Sequence, residues 1–596
     1  MKFRWKQPLP VNRDDLLKWR IYFPQISRVT FQLLYNRGFK TPEDAQKYLK
    51  NFNFFSPEDF SDPRKLPDFF KGATRVFEAI KNKEKILIFG DYDADGITSI
   101  AILILFFRQY CPSLEVLYYQ PSRFDEGYGF NEEGITFALE NKISLIITVD
   151  CGITSFKAAE LAKRKGIDLI ILDHHESGDT LPEAVAVIDP KRKDSELSFR
   201  DWAAAGVTFS FICGMVSIKP EFFPNFKMAP FLELAAIGTV VDIAPLTGDN
   251  RLIVKAGFII LETLIKNKKG CNKGLRHLRR LAGLMDRPLS IKDLHFIIGP
   301  RLNAASRMEE AKCATELLIT EDDTKAEELA KKLEEQNEKR KNLQRDIYEK
   351  VFKSIIENKS HIHRLIIYAD EYIDEGIRGI IATKIAQRFN RPAILFTIDK
   401  KRNVAAGSGR SFADFNLYKF MSNFQEFKEN GGGHRAAIGI KLPLEKFYNF
   451  CEKLLKEADR TIKTEDITPS LNIDAEIMPE EITEDLINFI SLMEPFGEGN
   501  PSPIFLLSKV HIVDIQIIEN NEYTPLLKFT ILSSDEAFNY NLTLWDPVTF
   551  FELKDLYEFN PKHFINRQAD FILQILKNEK NGKTFINLNI IDFILL

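Results

Sequence analysis

The chain has 596 residues, is 44% apolar and carries a formal net charge of −4, which supplies material for several hydrophobic cores and excludes general basic character. None of its six cysteines forms a Cys-x-x-Cys pair, so neither a zinc ribbon nor a disulfide framework is indicated. No uncharged apolar stretch approaches the roughly 18 residues that span a membrane. We therefore expect a cytoplasmic protein without a membrane partner, built from roughly three to five domains.

The first three segments of the chain differ in their patterns. Residues 1–70 contain helical pieces with Pro and Asp breaks and predict a helical leader that packs on the next segment of the chain. Residues 71–320 alternate strand and helix patterns, which predicts a parallel sheet with helices on both faces. Residues 321–360 are highly charged and include a long run without Gly or Pro, which predicts one exposed helix acting as a spacer between lobes.

Two further segments complete the chain. Residues 361–462 predict a second, smaller α/β unit that contains a Gly-rich stretch. Residues 463–596 show short alternating strands with few helices, which indicates a small antiparallel β-barrel of the OB type. The predicted fold class is therefore a multidomain α/β protein with a parallel-sheet domain, a linker helix, a smaller α/β domain and a C-terminal barrel.

Apolar segments that end in acidic residues recur in the parallel-sheet region. Ile86–Gly96 reads ILIFGDYDADG, a buried strand followed by Asp91, Asp93 and Asp95. The same design recurs in IITVDCG with Asp150, in LIILDHH with Asp173, His174 and His175, and in AIGTVVDIAP with Asp242. Because the carboxyl ends of parallel strands converge at one edge, we expect five of these to meet. The five are Asp93, Asp95, Asp150, His174 and Asp242.

Oxygen ligands with one imidazole suit Mn²⁺ or Mg²⁺ better than a structural zinc ion. Four carboxylates can hold two divalent ions if one Asp bridges them. Two ions about 3.5–4 Å apart generate a hydroxide and stabilise the attacking and leaving oxygens of phosphoryl transfer. Each acid alone could equally be a helix cap, but the repetition of one design favours a metal site.

Other motifs carry groups that bind phosphate or bases. In GPRLNAASRM, Arg301 and Asn303 offer a bidentate cation and an amide, unless Arg301 pairs with a neighbouring acid. In GSGRS, hydroxyl groups and Arg410 form a natural phosphate cup. His434 lies in the Gly-rich GGGHRAAIG, which could also be a simple turn. Tyr128, between two glycines, is either a stacking platform for a base or an aromatic packed in a loop.

The motifs GDYDADG, VDCG, LDHH and VVD resemble the four motifs of the DHH phosphoesterase superfamily. With RFDEGYGF, GPRLNAASRM, GSGRS, GGGHRAAIG and EPFGEGNPSPIF in the same order, the chain resembles the RecJ-type single-stranded-DNA-specific exonucleases over nearly its whole length. The resemblance implies a DHH domain, a DHHA1 domain joined to it by a long helix, and an OB-fold. The implied domains are a leader at 1–70, DHH at 71–320, the linker helix at 321–360, DHHA1 at 361–462 and the OB-fold at 463–596.

The resemblance also implies an activity. The implied activity is that of a 5′→3′ exonuclease, which hydrolyses single-stranded DNA to 5′-mononucleotides with two divalent ions, Mn²⁺ or Mg²⁺, in DNA repair and recombination. The substrate would be single-stranded DNA with a 5′ end, and the protein a monomer. By analogy within the family alone, a single-strand-binding protein and a helicase are expected partners.

The family pattern implies a role for each matching residue. Asp93 and Asp150 would hold one ion, and Asp95, Asp150, His174 and Asp242 the other, while Asp91 would be a supporting residue. His175 would face the scissile phosphate, with Asp173 orienting a histidine. Ser408, Arg410 and Arg123 would grip the terminal 5′-phosphate. We therefore expect the metal ligands to be Asp93, Asp95, Asp150, His174 and Asp242. The expected catalytic residues are His175, Arg301, Asp173 and Asn303. The expected substrate-binding residues are Arg123, Tyr128, Ser408, Arg410 and His434.

Two positions depart from the family pattern, and two alternative functions stay open. Ser306 stands where the family usually has Gly, and Asp374 stands in a stretch that usually reads Trp-His-x-Gly. One alternative is a phosphodiesterase of short oligonucleotides or cyclic dinucleotides, and the other is a non-catalytic replication scaffold. The leader, long helix and barrel favour a polymeric substrate, and the complete ligand set favours catalysis.

Overall fold

The computed structural model describes residues 3–50, 59–123, 125–266, 272–307, 312–518, 526–532, 539–544, 563–580 and 583–596. Phe124 and Met308, which belong to two of the motifs above, lie outside these residues. The chain divides into two compact units. One contains Met1–Asn51, Ile347–Glu494 and Ser502–Leu596, and the other contains Phe52–Asp346 and Pro495–Pro501.

Residues 3–50 of the leader belong to the first of these units, and residues 59–70 belong to the second. The elements of residues 3–50 are β1 (Arg4–Lys6), α1 (Arg13–Trp19), α2 (Arg28–Asn36) and α3 (Pro42–Leu49). The prediction that the leader packs on the segment after it is wrong for residues 3–50, whereas Leu66 and Phe69 do lie in the core of the sheet domain. The strand β1 pairs in parallel with Ser470–Asn472, and the side chain of Asn36 donates to the carbonyl of Asp474 at 2.5 Å. A strand partner more than 400 residues away leaves no local signal in the sequence.

The second unit contains the predicted parallel sheet. Its first elements are α4 (Phe69–Asn82), β2 (Ile86–Gly90), α5 (Ala94–Tyr110), β3 (Val116–Tyr119), α6 (Glu132–Glu140), β4 (Leu145–Val149), α7 (Phe156–Arg164), β5 (Asp168–Leu172) and β6 (Ala186–Ile188). The strand order is β3-β2-β4-β5-β6, and all neighbours are parallel. All residues of β2 and β4 are buried, as expected of continuous apolar strands covered on both faces.

Helices complete this unit. They are α8 (Ala204–Ile218), α9 (Ala229–Val241), α10 (Gly248–Lys266), α11 (Lys273–Leu281), α12 (Ile291–Asp293), the π-helical turn Leu294–Ile298, α13 (Gly299–Arg307) and α14 (Lys312–Ile319). The helices α5, α8 and α9 are apolar on all sides and lie in one large hydrophobic core with the sheet. A helix that is apolar all round is normally buried, and this core supports the edge at which β2, β4 and β5 end.

The linker is the single helix α15 (Asp323–Glu357), whose 35 residues span about 52 Å at 1.5 Å each. The prediction that it is simply exposed is wrong, because a buried stripe recurs every three or four residues along its length. The stripe consists of Ala326, Ala330, Leu333, Asn337, Arg340, Gln344, Ile347, Val351 and Ile355. Alanine and polar residues occupy much of it, which conceals the period in the sequence.

The smaller α/β domain comes after this helix. Its elements are β7 (Ile366–Asp370), α16 (Arg378–Phe389), β8 (Ala393–Asp399), β9 (Val404–Arg410), α17 (Leu417–Met421), α18 (Gln425–Asn430), β10 (Gly431–His434), β11 (Ala437–Pro443) and α19 (Leu444–Thr461). The strand order is β10-β11-β9-β8-β7, in which only β7 and β8 are parallel.

The C-terminal domain is a closed barrel, as predicted. Its elements are β12 (Ser470–Asn472), β13 (Ala475–Glu476), α20 (Glu484–Met493), β14 (Phe505–Ile518), β15 (Leu526–Leu532), β16 (Asn539–Leu544), β17 (Gln568–Lys580) and β18 (Lys583–Leu595). The barrel closes in the order β14-β15-β16-β18-β17-β14, and β16 and β18 are its parallel pair. Among the described helices of the whole chain, none has both the length and the apolarity to cross a membrane.

Candidate functional site

The predicted acids and histidines come together at the edge where β2, β4 and β5 end. Asp93 follows β2 and caps α5, Asp150 follows β4, and the Asp173-to-His175 segment follows β5. These three strands are adjacent, so their carboxyl ends are neighbours. Asp242 arrives differently, because it ends the helix α9, and the expectation that a strand delivers it is wrong. A short apolar run does not distinguish a buried strand from a buried helix.

Three overlapping groups of side chains have ligand atoms within 4.8 Å of one another. They are Asp91, Asp93 and Asp150; Asp150, His174 and His175; and Asp95, His174 and Asp242. Asp150 and His174 each belong to two groups. The geometry also places Asp91 in one group with Asp93, and the buried Oδ1 atom of Asp91 has no hydrogen-bond partner among the described atoms.

The electrostatics of these acids fit a cation site. Burial, followed by the charge of Asp93, raises the pKa values of Asp91, Asp150 and Asp95, the last to about 7. Burial and the charge of Asp95 likewise raise the pKa of Asp242. Crowded carboxylates resist ionisation unless cations lie among them. Carboxylate oxygens with one imidazole nitrogen are a donor set that Mn²⁺ and Mg²⁺ accept.

His174 is oriented as a metal ligand. Its Nδ1 atom lies 2.9 Å from the backbone carbonyl of Trp202, so this nitrogen must carry the proton and donate it. The other nitrogen, Nε2, then has a lone pair and lies 3.2 Å from Oδ1 of Asp150. Burial, followed by the charge of His175, lowers the pKa of His174 to about 4, which keeps the ring neutral. The Trp202 carbonyl is a backbone group, so the sequence analysis could not identify it.

His175 differs from His174 because it pairs with a buried acid. Its Nδ1 atom lies 2.7 Å from Oδ1 of Asp173, whose oxygens also accept from the backbone N–H groups of Ile153 and His174. Burial alone would lower the pKa of His175, but the hydrogen bond with Asp173 and the negative charges of Asp173, Asp242 and Asp91 together outweigh it and raise the pKa to about 9. Burial would raise the pKa of Asp173, but the bond from His175, the charges of both histidines and the backbone N–H of Ile153 together hold it below its usual range. In this structure the Asp173 carboxylate therefore fixes the direction of the His175 ring.

The pairing of His175 with Asp173 predicts a pH-dependent contribution to stability. A raised pKa in the folded state stabilises fully below about 6.5, and the contribution disappears as pH rises through about 9. We expect His175→Gln, measured by urea unfolding in chelator, to cost about 1 kcal/mol more at pH 6 than at pH 10, a value reduced for the partial exposure of the ring. In an Asp173→Asn background the difference should vanish. An equal cost at both pH values in the wild-type background would contradict the pairing.

A candidate ligand and the residue that follows another candidate ligand have a strained backbone. Asp150 itself has φ 61°, and Ile243, directly after Asp242, also has φ 61°. A β-branched residue rarely adopts this left-handed conformation, which costs roughly 1–3 kcal/mol. Gly152, with φ 116°, completes the turn after β4, where a Cβ atom would lie 2.7 Å from the Thr148 hydroxyl. Such strain typically accumulates where function fixes the direction of a side chain.

Asn303 and Gly238 support the first acidic motif. The Asn303 Oδ1 atom accepts from the backbone N–H of Ala94 at 2.8 Å, so this side chain holds the turn that carries Asp93 and Asp95. Asp95 accepts from the first two N–H groups of α8, at 2.7 and 2.9 Å. A Cβ atom on Gly238 would lie 2.6 Å from Oδ1 of Asp95. Asn303 thus positions the candidate ligands, a role that its motif alone did not indicate.

Arg301 is not available to a phosphate group in this structure. Its Nε and Nη2 atoms donate to the two carboxylate oxygens of Glu334 at 2.5 and 2.9 Å, and Nη1 donates to the carbonyl of Ile297 at 2.8 Å. Arg301 is also only 7% exposed. The alternative of pairing with an acid is therefore the observed one. The sequence could not show this pairing, because Glu334 lies on α15, two helices after α13, which carries Arg301.

We expect Arg301→Met to lower the free energy of unfolding by about 3 kcal/mol, because Glu334 would keep a largely buried charge without its partner. The KM for single-stranded DNA, the substrate that the resemblance implies, should change little, and the double variant Arg301→Met/Glu334→Leu should recover most of the stability. Chemical denaturation and steady-state kinetics measure these quantities. If Arg301→Met were fully stable and raised KM strongly, Arg301 would be a phosphate ligand after all.

Aromatic rings lie beside the acidic cluster. The guanidinium carbon of Arg123 lies 5.2 Å from the ring centroid of Tyr92, the residue between Asp91 and Asp93. This cation–π contact places a positive charge near the cluster, and the sequence analysis did not single out Tyr92. Tyr128 contacts the site through its hydroxyl group, which donates to the carbonyl of Asp150 at 3.2 Å.

In the other compact unit, Ser408 and Arg410 lie on β9 as neighbours. Arg410 Nη1 donates to the Ser408 hydroxyl at 3.0 Å and to the carbonyl of Gly409 at 2.8 Å. Both side chains approach the N-terminus of α16, where a Cβ atom on Gly379 would lie 2.6 Å from Arg410 Nη2. A helix N-terminus with an adjacent guanidinium and hydroxyl is a favourable place for an anion.

The Gly-rich hairpin extends the same surface. His434 pairs with Ala437, which pairs with Arg410, so His434 and Arg410 occupy one row across β10, β11 and β9. Directly opposite residues of antiparallel strands point to the same face. In the row of Ser408, the two neighbouring strands carry Gly439 and Gly432, and a Cβ atom on either would meet nothing within 4 Å. The surface beside Ser408 is therefore open.

Both departures from the family pattern are accommodated locally. The Asp374 carboxylate accepts from the backbone N–H of Gly376 at 2.8 Å, and its carbonyl accepts from that of Arg378 at 3.0 Å, so it is turned into the loop before α16. The buried Ser306 hydroxyl donates to the carbonyl of Asn303 at 3.1 Å, within α13. Neither side chain contacts a candidate metal ligand directly in these bonds.

Three protein-family models match the chain. The DHH family, N-terminal domain, matches residues 85–239, the DHHA1 domain matches residues 361–464, and the RecJ OB domain matches residues 473–592. The order along the chain is that of the parallel-sheet domain, the smaller α/β domain and the barrel.

Curated relatives are similar over most of the chain. The single-stranded-DNA-specific exonuclease RecJ of Bacillus subtilis (strain 168) is 35% identical over 523 residues, which cover 87% of this chain and 63% of the relative. The chain thus spans less than two thirds of that relative's length. The RecJ proteins of Salmonella typhimurium and Escherichia coli (strain K12) are 30% and 29% identical, and the matches cover 88% and 99% of those relatives and 84% and 95% of this chain.

Solved structures agree in fold. RecJ from Thermus thermophilus in complex with Mn²⁺ has a TM-score of 0.77 at 24% identity, covering all of this chain and 80% of that one. A crystal structure of exonuclease RecJ bound to manganese has a TM-score of 0.55 at 28% identity, covering 67% of this chain and 98% of that one.

Proposed function

The chain belongs to the RecJ family of single-stranded-DNA-specific exonucleases, and from this premise we propose that it hydrolyses single-stranded DNA from the 5′ end to 5′-mononucleotides, with Mn²⁺ or Mg²⁺ as cofactor. The observation that carries the proposal is the set of three overlapping acid and histidine groups at one edge of the parallel sheet. Asp150 and His174, which belong to two groups each, make the site suitable for more than one ion.

The proposed division of the ligands between two ions is the one that the family pattern implies, and the three groups are compatible with it. Asp93 and Asp150 hold one ion, and Asp91 is a further candidate for it because its buried Oδ1 atom is unsatisfied. The other ion is held by Asp95, Asp150, His174 and Asp242. When bound, the ions supply an activated water and neutralise the negative charge that develops on the phosphate.

The side chains around the ligands have separate proposed tasks. His175, kept cationic at neutral pH by its bond with Asp173, stabilises negative charge on the scissile phosphate. Asn303 holds the turn that carries Asp93 and Asp95, so it acts through positioning. Because its guanidinium is engaged by Glu334, we assign Arg301 to the stability of the domain.

Direction along the strand is assigned to the smaller α/β domain. We propose that Ser408 and Arg410 bind the terminal 5′-phosphate, since the guanidinium, the hydroxyl and the N-terminus of α16 together favour an anion. His434, in the same row as Arg410, and Arg123, beside Tyr92, contact further phosphates. Binding a free 5′ end in this way selects 5′→3′ polarity.

The domain boundaries, the location, the oligomeric state and the partners of the protein are proposed as well. We propose domain boundaries at 70, 320, 360 and 462, and the three family matches fall in the three folded domains except that the DHHA1 match continues two residues past 462. We propose further a cytoplasmic monomer that receives its strand from a single-strand-binding protein and a helicase. Family analogy supports these partners.

The proposed function is tested with matched substrates. The same sequence is offered as a single strand, as a blunt duplex and as linear and cyclic dinucleotides, with Mn²⁺, with Mg²⁺ and with EDTA. We expect rapid hydrolysis of the single strand with either ion and none with EDTA. Preferential hydrolysis of dinucleotides would indicate the short-substrate phosphodiesterase, and inactivity with every substrate would indicate the scaffold.

A further inference from the structure

Tyr128 makes contacts that a base-stacking platform does not require. Its hydroxyl oxygen lies 3.2 Å from the carbonyl oxygen of Asp150, 3.2 Å from Nδ1 of His175 and 3.4 Å from Nε2 of the same ring. The two rings meet at an angle of 65° with their centroids 5.6 Å apart. The residue Tyr128 is nevertheless 51% exposed, so it contacts both the site and the solvent.

The hydrogen-bond chemistry gives the hydroxyl a defined direction. A carbonyl oxygen can only accept, so the Tyr128 proton is donated to Asp150. The tyrosine oxygen also lies within hydrogen-bond distance of both ring nitrogens of His175. Nδ1 of His175 already lies 2.7 Å from the Asp173 carboxylate, so the ring is held by Asp173 and Tyr128 together.

The carbonyl that Tyr128 binds belongs to the most shared of the candidate ligands. Asp150 lies in two of the three groups, and its backbone has φ 61°. A left-handed residue costs roughly 1–2 kcal/mol, so its conformation depends on the bonds around it. The hydrogen bond from the Tyr128 hydroxyl to the Asp150 carbonyl therefore bears on the direction of the Asp150 carboxylate.

We propose that the hydroxyl group of Tyr128 is a positioning group, which ties the strained backbone of Asp150 to the ring of His175 and so holds a metal ligand and a phosphate-facing residue in one arrangement. The proposal rests on the proposed function of the site. It is separate from base stacking, because stacking uses the ring and positioning uses the hydroxyl.

The substitution Tyr128→Phe separates the two roles, since it removes the hydroxyl and keeps the ring. We expect the dissociation constant for Mn²⁺, measured without DNA by electron paramagnetic resonance, to rise about fivefold to tenfold, as the loss of one or two hydrogen bonds allows. The kcat on a 5′-phosphorylated single strand should fall by a similar factor, with KM within about twofold of wild type. Tyr128→Ala should show the same losses and a raised KM.

Tyr448→Phe is the matched control, because Tyr448 is 72% exposed in the other compact unit, and it should match wild type in all three quantities. If Tyr128→Phe equals wild type in Mn²⁺ affinity and kcat, while only Tyr128→Ala raises KM, the positioning role is overturned and Tyr128 is a stacking platform. If wild type binds Mn²⁺ but degrades no strand, the proposed function fails, and the Mn²⁺ affinity of Tyr128→Phe still decides whether the hydroxyl positions Asp150.

Discussion

Replacing Asp150 with asparagine abolishes hydrolysis of single-stranded DNA, with an expected loss in kcat of at least about 10⁴-fold. The carboxylate of Asp150 is shared by two of the three ligand groups, so both candidate ion positions lose a ligand. Asparagine is preferable to alanine because it tolerates the φ of 61° that Asp150 adopts. The loss is therefore chemical and not a consequence of backbone strain.

The same variant should not be less stable than wild type in the absence of metal. Burial and the charges of Asp93 and Asp95 oppose ionisation of Asp150, so removing its charge relieves repulsion. Urea unfolding in EDTA measures this, and calorimetry measures the expected loss of Mn²⁺ binding. Asp286→Asn, at an exposed position in the same unit, is the control and should be normal in both. Substantial turnover by Asp150→Asn would contradict the proposal that Asp150 is a ligand shared by two ions.

Replacing Arg410 with alanine removes the preference for 5′-phosphorylated ends. The ratio of kcat/KM for a 5′-phosphorylated strand to that for a 5′-hydroxyl strand should fall about tenfold to hundredfold, the value of a charge-assisted hydrogen bond. Arg410→Lys should recover only part of the ratio, because lysine lacks the planar fork that also contacts Ser408. Steady-state kinetics on the two strands measure the effect.

Arg402→Ala is the matched control for this prediction. Arg402 lies in the turn between β8 and β9 of the same sheet, is highly exposed and pairs with Asp399. Its removal should change KM slightly through net charge and leave the preference for a 5′-phosphate intact. An unchanged preference in Arg410→Ala would place the 5′-phosphate pocket elsewhere on the protein.

The sheet and its acidic edge could be predicted because their signals are local. The run Ile86–Gly90 is continuously apolar and becomes a fully buried strand, and the acids directly after it reach the edge because parallel strands share their direction. The same reasoning places Asp150 and the segment from Asp173 to His175. Each of these predictions needs only a strand and the residue that follows it.

The predictions that were wrong depend on distant partners. The partner of Arg301 is Glu334 on a later helix, and the partner of β1 is a strand after residue 469. The stripe on α15 is buried because its first members, Ala326, Ala330 and Leu333, lie in the large hydrophobic core of the sheet domain. A sequence shows the polarity of such residues but not the partner that they contact.

The identity of the first product shows directly whether the protein is a metal-dependent exonuclease that acts from the 5′ end. A single strand carrying a labelled 5′-phosphate is mixed with the protein and Mn²⁺ under single-turnover conditions, and the earliest labelled product is separated by size. A metal-dependent exonuclease that acts from the 5′ end releases the label at once as a 5′-mononucleotide, and EDTA prevents its release. Retention of the label on progressively shorter strands would show digestion from the other end and contradict the account.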